Sequence, residues 1–400
     1  MDLDNLFKTS SSKLESKVKN IDLVVSDDRE ILNAIDQLYA IEGFITPLKV
    51  DDIDDESWHK TDSEIKNVIL DLRESQDVIS EVSEISSRLD VSISLIVLSC
   101  LDSIMMRDRV LALGANYVLW DEELDALLGA IKTPALENST TVYKKKSRVA
   151  KRVLLLGSKG GIGLSSISSY LCYSLSQQAS LKTLLVEHDT TALNSDIFLG
   201  VKGLKSKQSS IDLNQSELDA AIAATYVYSV KDKLDYLMLD KSPACLNDHA
   251  DSLHRISNEL IDQYNFIIDS IPLNALEELP SEELIDRYHR IYVVCEPSVA
   301  SLRAYNTIKK KLGKSEHQIV FSMTRLQKDY MVPLQSAKDK IKAKNTIDIA
   351  YEANLEKLVI QQGIHSLTKT KLAPAISIMI NSLTGKKVKP ASRLKWFNKK

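Results

Sequence analysis

Residues 153–171 read VLLLGSKGGIGLSSISSYL. Val153–Leu156 is an apolar run with the look of a strand buried on both faces, and SSISSYL opens a helical pattern. Between them Gly160, Gly161 and Gly163 let the backbone turn tightly, so that successive N–H groups point into one concavity. With the positive end of the following helix, such a concavity binds phosphate without any side chain. Ser165 stands where a hydroxyl reaches Mg2+, and Lys159, Ile162 and Ser166 complete the candidate stretch. One part of a nucleotide-phosphate loop is missing, because Leu164 occupies the position that needs lysine. Losing that charge-assisted hydrogen bond removes roughly 1.5–3 kcal/mol, about ten- to hundredfold in affinity. Hydrolysis is hit harder, since positive charge near the γ-phosphate counts most where charge develops in the transition state. Leu164 also presents an apolar side chain to the pocket. The expectation is nucleotide binding that depends on Mg2+, with very slow or no turnover.

Strand and helix patterns continue outward from this loop. RVLLLGS, KTLLVEHD, DYLMLD, NFIIDSIP, RIYVVCE and QIVFSM read as strands of an α/β domain over residues 151–385. Upstream, residues 132–150 (KTPALENSTTVYKKKSRVA) combine a proline, polar residues and a lysine cluster without sustained period, which marks a linker. Before it, residues 21–131 alternate IDLVVS, GFITPLKV, NVILDL, SLIVLS and ANYVLW with helical patterns such as REILNAIDQLYAIE, the signature of a five-stranded, doubly wound parallel sheet. Residues 1–20 form a polar tail and 386–400 a basic one.

The 400 residues suit two domains plus tails. A net charge of −4 hides an asymmetry: residues 21–131 hold 25 acidic and 8 basic side chains, so the remainder is strongly positive. That division suggests two surfaces with different partners, or simply solvated charged faces. Cys100, Cys172, Cys245 and Cys295 are widely spaced and fit no metal or redox motif, which points to buried free thiols. No apolar run reaches membrane-spanning length and the first twenty residues lack the apolar centre of a secretory signal, so a cytoplasmic location is expected.

SKGGIGLSS resembles the loop of the deviant Walker A ATPases, the MinD/ParA family, whose pattern is KGGxGK followed by two Ser or Thr positions. The resemblance extends over nearly all of residues 151–385. It implies that Lys159 is the signature lysine, which in that family reaches the partner subunit's phosphates in an ATP-sandwiched homodimer. LLVEHDTTALNSDIFLG resembles the family's next strand and switch, with Asp189 and Asn194 at its aspartate and asparagine. A carboxylate beside the γ-phosphate can hold the attacking water or the metal shell; Asp189 is otherwise a turn or helix-capping residue. YNFIIDSIP resembles Walker B, which would give Asp269 a hold on Mg2+ through water. IVFSMTRL parallels the segment that holds the adenine, with Thr324 and Arg325 in place of the commoner Asn-Arg. In IDIAYEANLEKL, Ala350 replaces the usual proline of the last base-contacting loop, next to Tyr351.

The first domain resembles the flavodoxin-like receiver fold of response regulators. Asp71 in NVILDL falls on the phosphoacceptor position, Ser99 on the switch hydroxyl, and Asp27 with Asp28 on the acidic pocket. Ser26 replaces one acidic residue, and Asp121 follows Trp120 where the receiver lysine belongs, so an interaction or dimerisation module is expected more than a phosphorylated switch. A degenerate receiver followed by a deviant Walker A domain resembles the TadZ/CpaE family of Tad (Flp) pilus assembly. That resemblance implies a dimeric localisation factor at a cell pole, on the inner face of the membrane, which recruits the pilus secretion ATPase and inner-membrane pilus components. The rival readings are a partitioning or positioning ATPase cycling on DNA or membrane, and a response regulator with an ATPase-like output. Leu164 weighs against cycling on DNA, and the missing receiver lysine against the regulator. The tail surrounds Leu394, Trp396 and Phe397 with seven Lys or Arg residues, a composition suited to weak contact with anionic lipid or to a solvated tail.

Overall fold

The computed structural model describes residues 20–53, 64–121, 124–132, 148–189, 194–201, 218–240, 246–278 and 287–385. The polar and basic tails, most of the expected linker and Cys245 lie outside them. The chain divides into two compact units, Met1–Val82 with Ser92–Lys145, and Ser83–Val91 with Lys146–Lys400.

In the first unit five parallel strands stand in the order β2-β1-β3-β4-β5: β1 Asn20–Val25, β2 Leu48–Val50, β3 Glu64–Asp71, β4 Ser94–Ser99 and β5 Asn116–Leu119. This is the doubly wound 2-1-3-4-5 order. GFITPLKV yields a strand only over its last three residues. One face packs Val24, Ile69, Ile96 and Leu98 against Ile31, Ile35 and Tyr39 of α1 (Arg29–Glu42) and against Leu127 and Ile131 of α4 (Asp125–Lys132). Helix α1 starts at Asp28, whose carboxylate accepts the Glu30 N–H, and ends at Gly43, which takes the left-handed φ of 69°. Helix α2, Val78–Arg88, straddles the division between units, and α3 is Ile104–Ala112.

In the second unit the described strands form a sheet in the order β13-β12-β11-β6-β10-β7-β9-β8. The central ones are β6 (Lys151–Gly157), β7 (Thr183–Glu187), β10 (Phe266–Ile271), β11 (Arg290–Cys295) and β12 (Gln318–Ser322), all parallel. Two edges escape the sequence reading: β13 is a three-residue strand, Ile347–Ile349, and β8, Val227–Lys231, runs antiparallel to β9, Leu234–Leu237. From β6 the chain crosses to β7 on one side, and from β10 to β11 on the other. The direction of winding therefore reverses beside β6, where open α/β sheets bind ligands at the carboxyl ends of their strands.

Helix α5, Leu164–Gln177, is serine-rich and yet buried almost all round. Serine competes with helix by bonding nearby backbone; here Ser168 donates to the Ser165 carbonyl and Ser176 to that of Tyr173, so these hydroxyls enter the core with partners. The core cluster around α5 takes in Val153, Leu155, Ile268 and Met379. Among the described residues no helix is long and apolar enough to cross a membrane. Cys172 and Cys295 are buried, as expected, and burial pushes both thiols up, Cys295 to about 12; Cys100, by contrast, is exposed.

Candidate functional site

The glycine loop leaves β6 at its carboxyl end and enters α5 directly. Gly161 and Gly163 take left-handed φ values of 69° and 85°, which only glycine adopts at little cost, so the sequence expectation of a tight turn is met at those two residues. Nothing stands within 4 Å of a Cβ built on Gly160 or Gly161, so the top of the loop is open. Ile162 is buried in the core around α5, which leaves backbone groups as the loop's polar contribution. Ser158 ties the base of the loop down, its N–H donating to the Val294 carbonyl at 3.0 Å and its hydroxyl lying 2.7 Å from that of Ser301. An open, anchored cradle of this kind fits phosphate groups.

Leu164 lies against Gly157 at the end of β6. It is half-buried and packs against the α5 core, and a Cβ built on Gly157 would stand 3.2 Å from its Cδ2. The first turn of α5 places this chain back over the end of β6, as helical side chains lean toward the N-terminus.

Lys159 is already paired. Its ammonium lies 2.7 Å from Oε1 of Glu296, which directly follows β11 and is 1% exposed. Thr324 donates its hydroxyl to the other oxygen at 2.8 Å, and Tyr330 donates to the same oxygen at 3.2 Å. Tyr330 also accepts the Thr324 N–H at 2.9 Å, while the Arg325 guanidinium lies 4.4 Å above its ring. Burial pushes the Glu296 carboxyl up, but the bonds from Lys159, Thr324 and Ser298 outweigh it and hold the group below the usual carboxylate range. Glu296 thus joins the phosphate loop to the segment singled out for the base. RIYVVCE carried the signal, an acidic residue closing a buried strand, but periodicity alone does not say what meets it. Ala350 and Tyr351 follow β13 at the same edge; Ala350 is exposed and the Tyr351 carbonyl accepts from Lys371.

Asp189 lies at the carboxyl end of β7, half-buried, and Asn194 precedes the short helix α6, Ser195–Leu199. Buried Glu187 accepts the Ser195 hydroxyl at 2.9 Å and that of Tyr236, anchoring the start of α6 to the sheet. Burial outweighs these bonds and raises the Glu187 carboxyl above its usual range.

Asp269 stands apart from the loop. The register pairs it with Leu154, three residues short of Gly157, about 10 Å along the strand. Its neighbours on the same side, Ile267 and Ile271, pack in clusters without α5, whereas Phe266 and Ile268 pack with α5. Both carboxylate oxygens are taken, Oδ2 by Arg152 at 3.0 Å and Oδ1 by His188 at 2.8 Å. Arg152, 4% exposed, also donates to Ser257 at 2.6 Å. Burial pushes the Asp269 carboxyl up, but Arg152 and His188 outweigh it and hold the group low. The strand-end reading of Asp269 as a Mg2+ holder beside Ser165 is corrected by this placement: an even-odd choice of strand face, invisible to a motif, directs the side chain to a buried ion network. Among the described residues no group of three or more His, Cys, Asp or Glu side chains is arranged to hold a metal. Ser165 stands in the first turn of α5, half-buried, with Ser166 beside it.

In the first unit Asp27 is exposed, and the Asp28 carboxylate caps α1. Asp71 accepts from Ser26 at 2.8 Å and from Arg73 Nε at 3.0 Å. Ser99 accepts the Leu101 N–H at 3.2 Å, and Asp121 accepts that of Leu124 at 2.7 Å. Arg73, which sequence reasoning passed over, joins Asp28 to Asp71.

No family model matches the chain, and no curated protein matches it. Among solved structures, the chain is similar to a ParA family ATPase from Chlorobium tepidum TLS, at 20% identity over 57% of this chain and 96% of that one, with a TM-score of 0.46. It is similar to MinD in the MinC:MinD cell division complex of Aquifex aeolicus, at 19% identity over 61% and 99%, with a TM-score of 0.47. It is also similar to the septum site-determining protein MinD of Pyrococcus horikoshii OT3, complexed with Mg-ADP, at 17% identity over 57% and 93%, with a TM-score of 0.44.

Proposed function

We propose that the second unit binds ATP with Mg2+ at the glycine loop, that binding assembles a homodimer, and that the chain turns ATP over slowly or not at all. The observation that carries this reading is the loop itself, an open glycine cradle with Leu164 folded onto Gly157 where a lysine would supply charge. ATP with Mg2+ is the ligand pair that the MinD/ParA resemblance implies, and Ser165 is the side chain placed to meet the metal. Nucleotide and metal together would supply the charge across which two subunits meet. The chain's own contribution is the backbone cradle, the paired Lys159, and the Thr324–Arg325 segment held to it by Glu296.

On this reading the protein marks a place rather than drives a cycle, since a landmark needs a stable dimer more than turnover. The combination of the two units supports membership of the TadZ/CpaE type, with the first unit as interaction module and the pilus secretion ATPase and inner-membrane pilus components as partners near a cell pole. Light scattering after gel filtration, paired with a phosphate-release assay on the full chain, tests it. The expected result is a dimer with ATP and Mg2+, a monomer without them, and release at background. Failure to bind nucleotide overturns the reading, and steady turnover overturns its landmark part.

A further inference from the structure

The carboxyl ends of β1 and β3 in the first unit bring Asp28 and Asp71 to the edge where doubly wound domains take ligands. Two carboxylates converging there would ordinarily call for a cation from solution. The structure assigns that place to Arg73: the chain supplies its own cation, and the acidic edge is a closed clasp rather than an open ion or phosphoryl site.

Four contacts carry this. Arg73 Nε donates to Asp71 Oδ1 at 3.0 Å, and Nη2 donates to Asp28 Oδ2 and, at 3.4 Å, to Asp71 Oδ2. The guanidinium carbon lies 5.1 Å from the centre of the Trp120 ring, on the segment that leaves β5. A planar guanidinium serves two carboxylates and an aromatic face at once, which a lysine ammonium cannot do with the same geometry. Two serines of the edge are also engaged, while Asp27 stays exposed. Ser26 donates to Asp71, and the Ser99 hydroxyl accepts from Leu101 while the Ser99 carbonyl accepts the Trp120 N–H at 2.9 Å. One side chain thereby ties together the ends of β1, β3 and β5. The acidic edge is held in one state, independent of metal and of phosphoryl donors.

The test uses the full chain carrying Trp58→Phe and Trp396→Phe, which leaves Trp120 as the single tryptophan. With Arg73 present, its emission is expected to stay unchanged on titration with MgCl2, alone or with acetyl phosphate, and Asp71 to take no phosphoryl label. A saturable response to Mg2+, or a label on Asp71, overturns the inference. Arg73→Ala is expected to lower the urea midpoint read by Trp120, and adding Asp71→Asn to recover part of that loss. An unchanged midpoint for Arg73→Ala, or no recovery in the double variant, also overturns it. The titration of the Arg73 chain decides the matter even if Arg73→Ala fails to fold.

Discussion

Replacing Leu164 by lysine would put a flexible cation at the first residue of α5, from where a four-carbon stem can run over Gly157 and bring its charge to the loop. Restoring one charge-assisted bond to phosphate is worth roughly 1.5–3 kcal/mol. Leu164→Lys is therefore expected to tighten MgATP binding about ten- to hundredfold by titration calorimetry. An unaltered affinity would mean that Leu164 is not what limits phosphate binding. At this scale the sequence was a good guide to residue identity and a poor one to direction. It showed that a lysine was missing but not that the leucine lies against Gly157, because the rotamer and the close approach depend on packing that no motif states.

At the scale of an element, β10 shows the same difference more sharply. FIIDSI reads as a buried strand ending in a usable aspartate, yet Asp269 sits mid-strand, on the face away from α5, between Arg152 and His188. Breaking a buried pair by removing one partner leaves the other charge stranded, at about 3–5 kcal/mol. Asp269→Asn is thus expected to lower the unfolding free energy of the second unit by that order in urea, with its Mg2+ dependence of nucleotide binding little changed. Loss of the Mg2+ dependence at full stability would restore the metal role. Strand existence was legible because apolar runs bounded by turn residues carry it. The register to β6 and β7 was not, since it is set by pairing between residues 115 and 83 positions apart in the chain.

Across the molecule, buried titratable groups make acid the weak side of the second unit. Burial, with Arg152 and Arg287 nearby, depresses His254 to about 4, and burial also lowers His249. The unfolded chain takes up these protons near pH 6.5, where the folded chain refuses them. The stability is therefore present above pH 6.5 and lost as pH falls toward 4. Glu187, raised by burial, acts in the opposite sense, favouring the fold as pH falls through its raised range. After allowance for the partial exposure of His254, the histidine contribution is about 1–2 kcal/mol. Urea midpoints between pH 7 and pH 4 are expected to fall, and His254→Gln to flatten the slope. A slope unaffected by that substitution would remove His254 from the account.

The sequence by itself determined the alternation of strands and helices in both halves, the glycine cradle and the missing lysine, since periodicity, glycine φ and residue type are local properties. Only the tertiary structure decided that Leu164 packs on Gly157, that Glu296 binds Lys159 together with Thr324, that Asp269 belongs to an ion network and that Arg73 closes the acidic edge. Each depends on strand order and side-chain direction bringing residues far apart in the chain to one place, or on which of two neighbours a charged group turns to meet. Burial then forces every charge to find a partner.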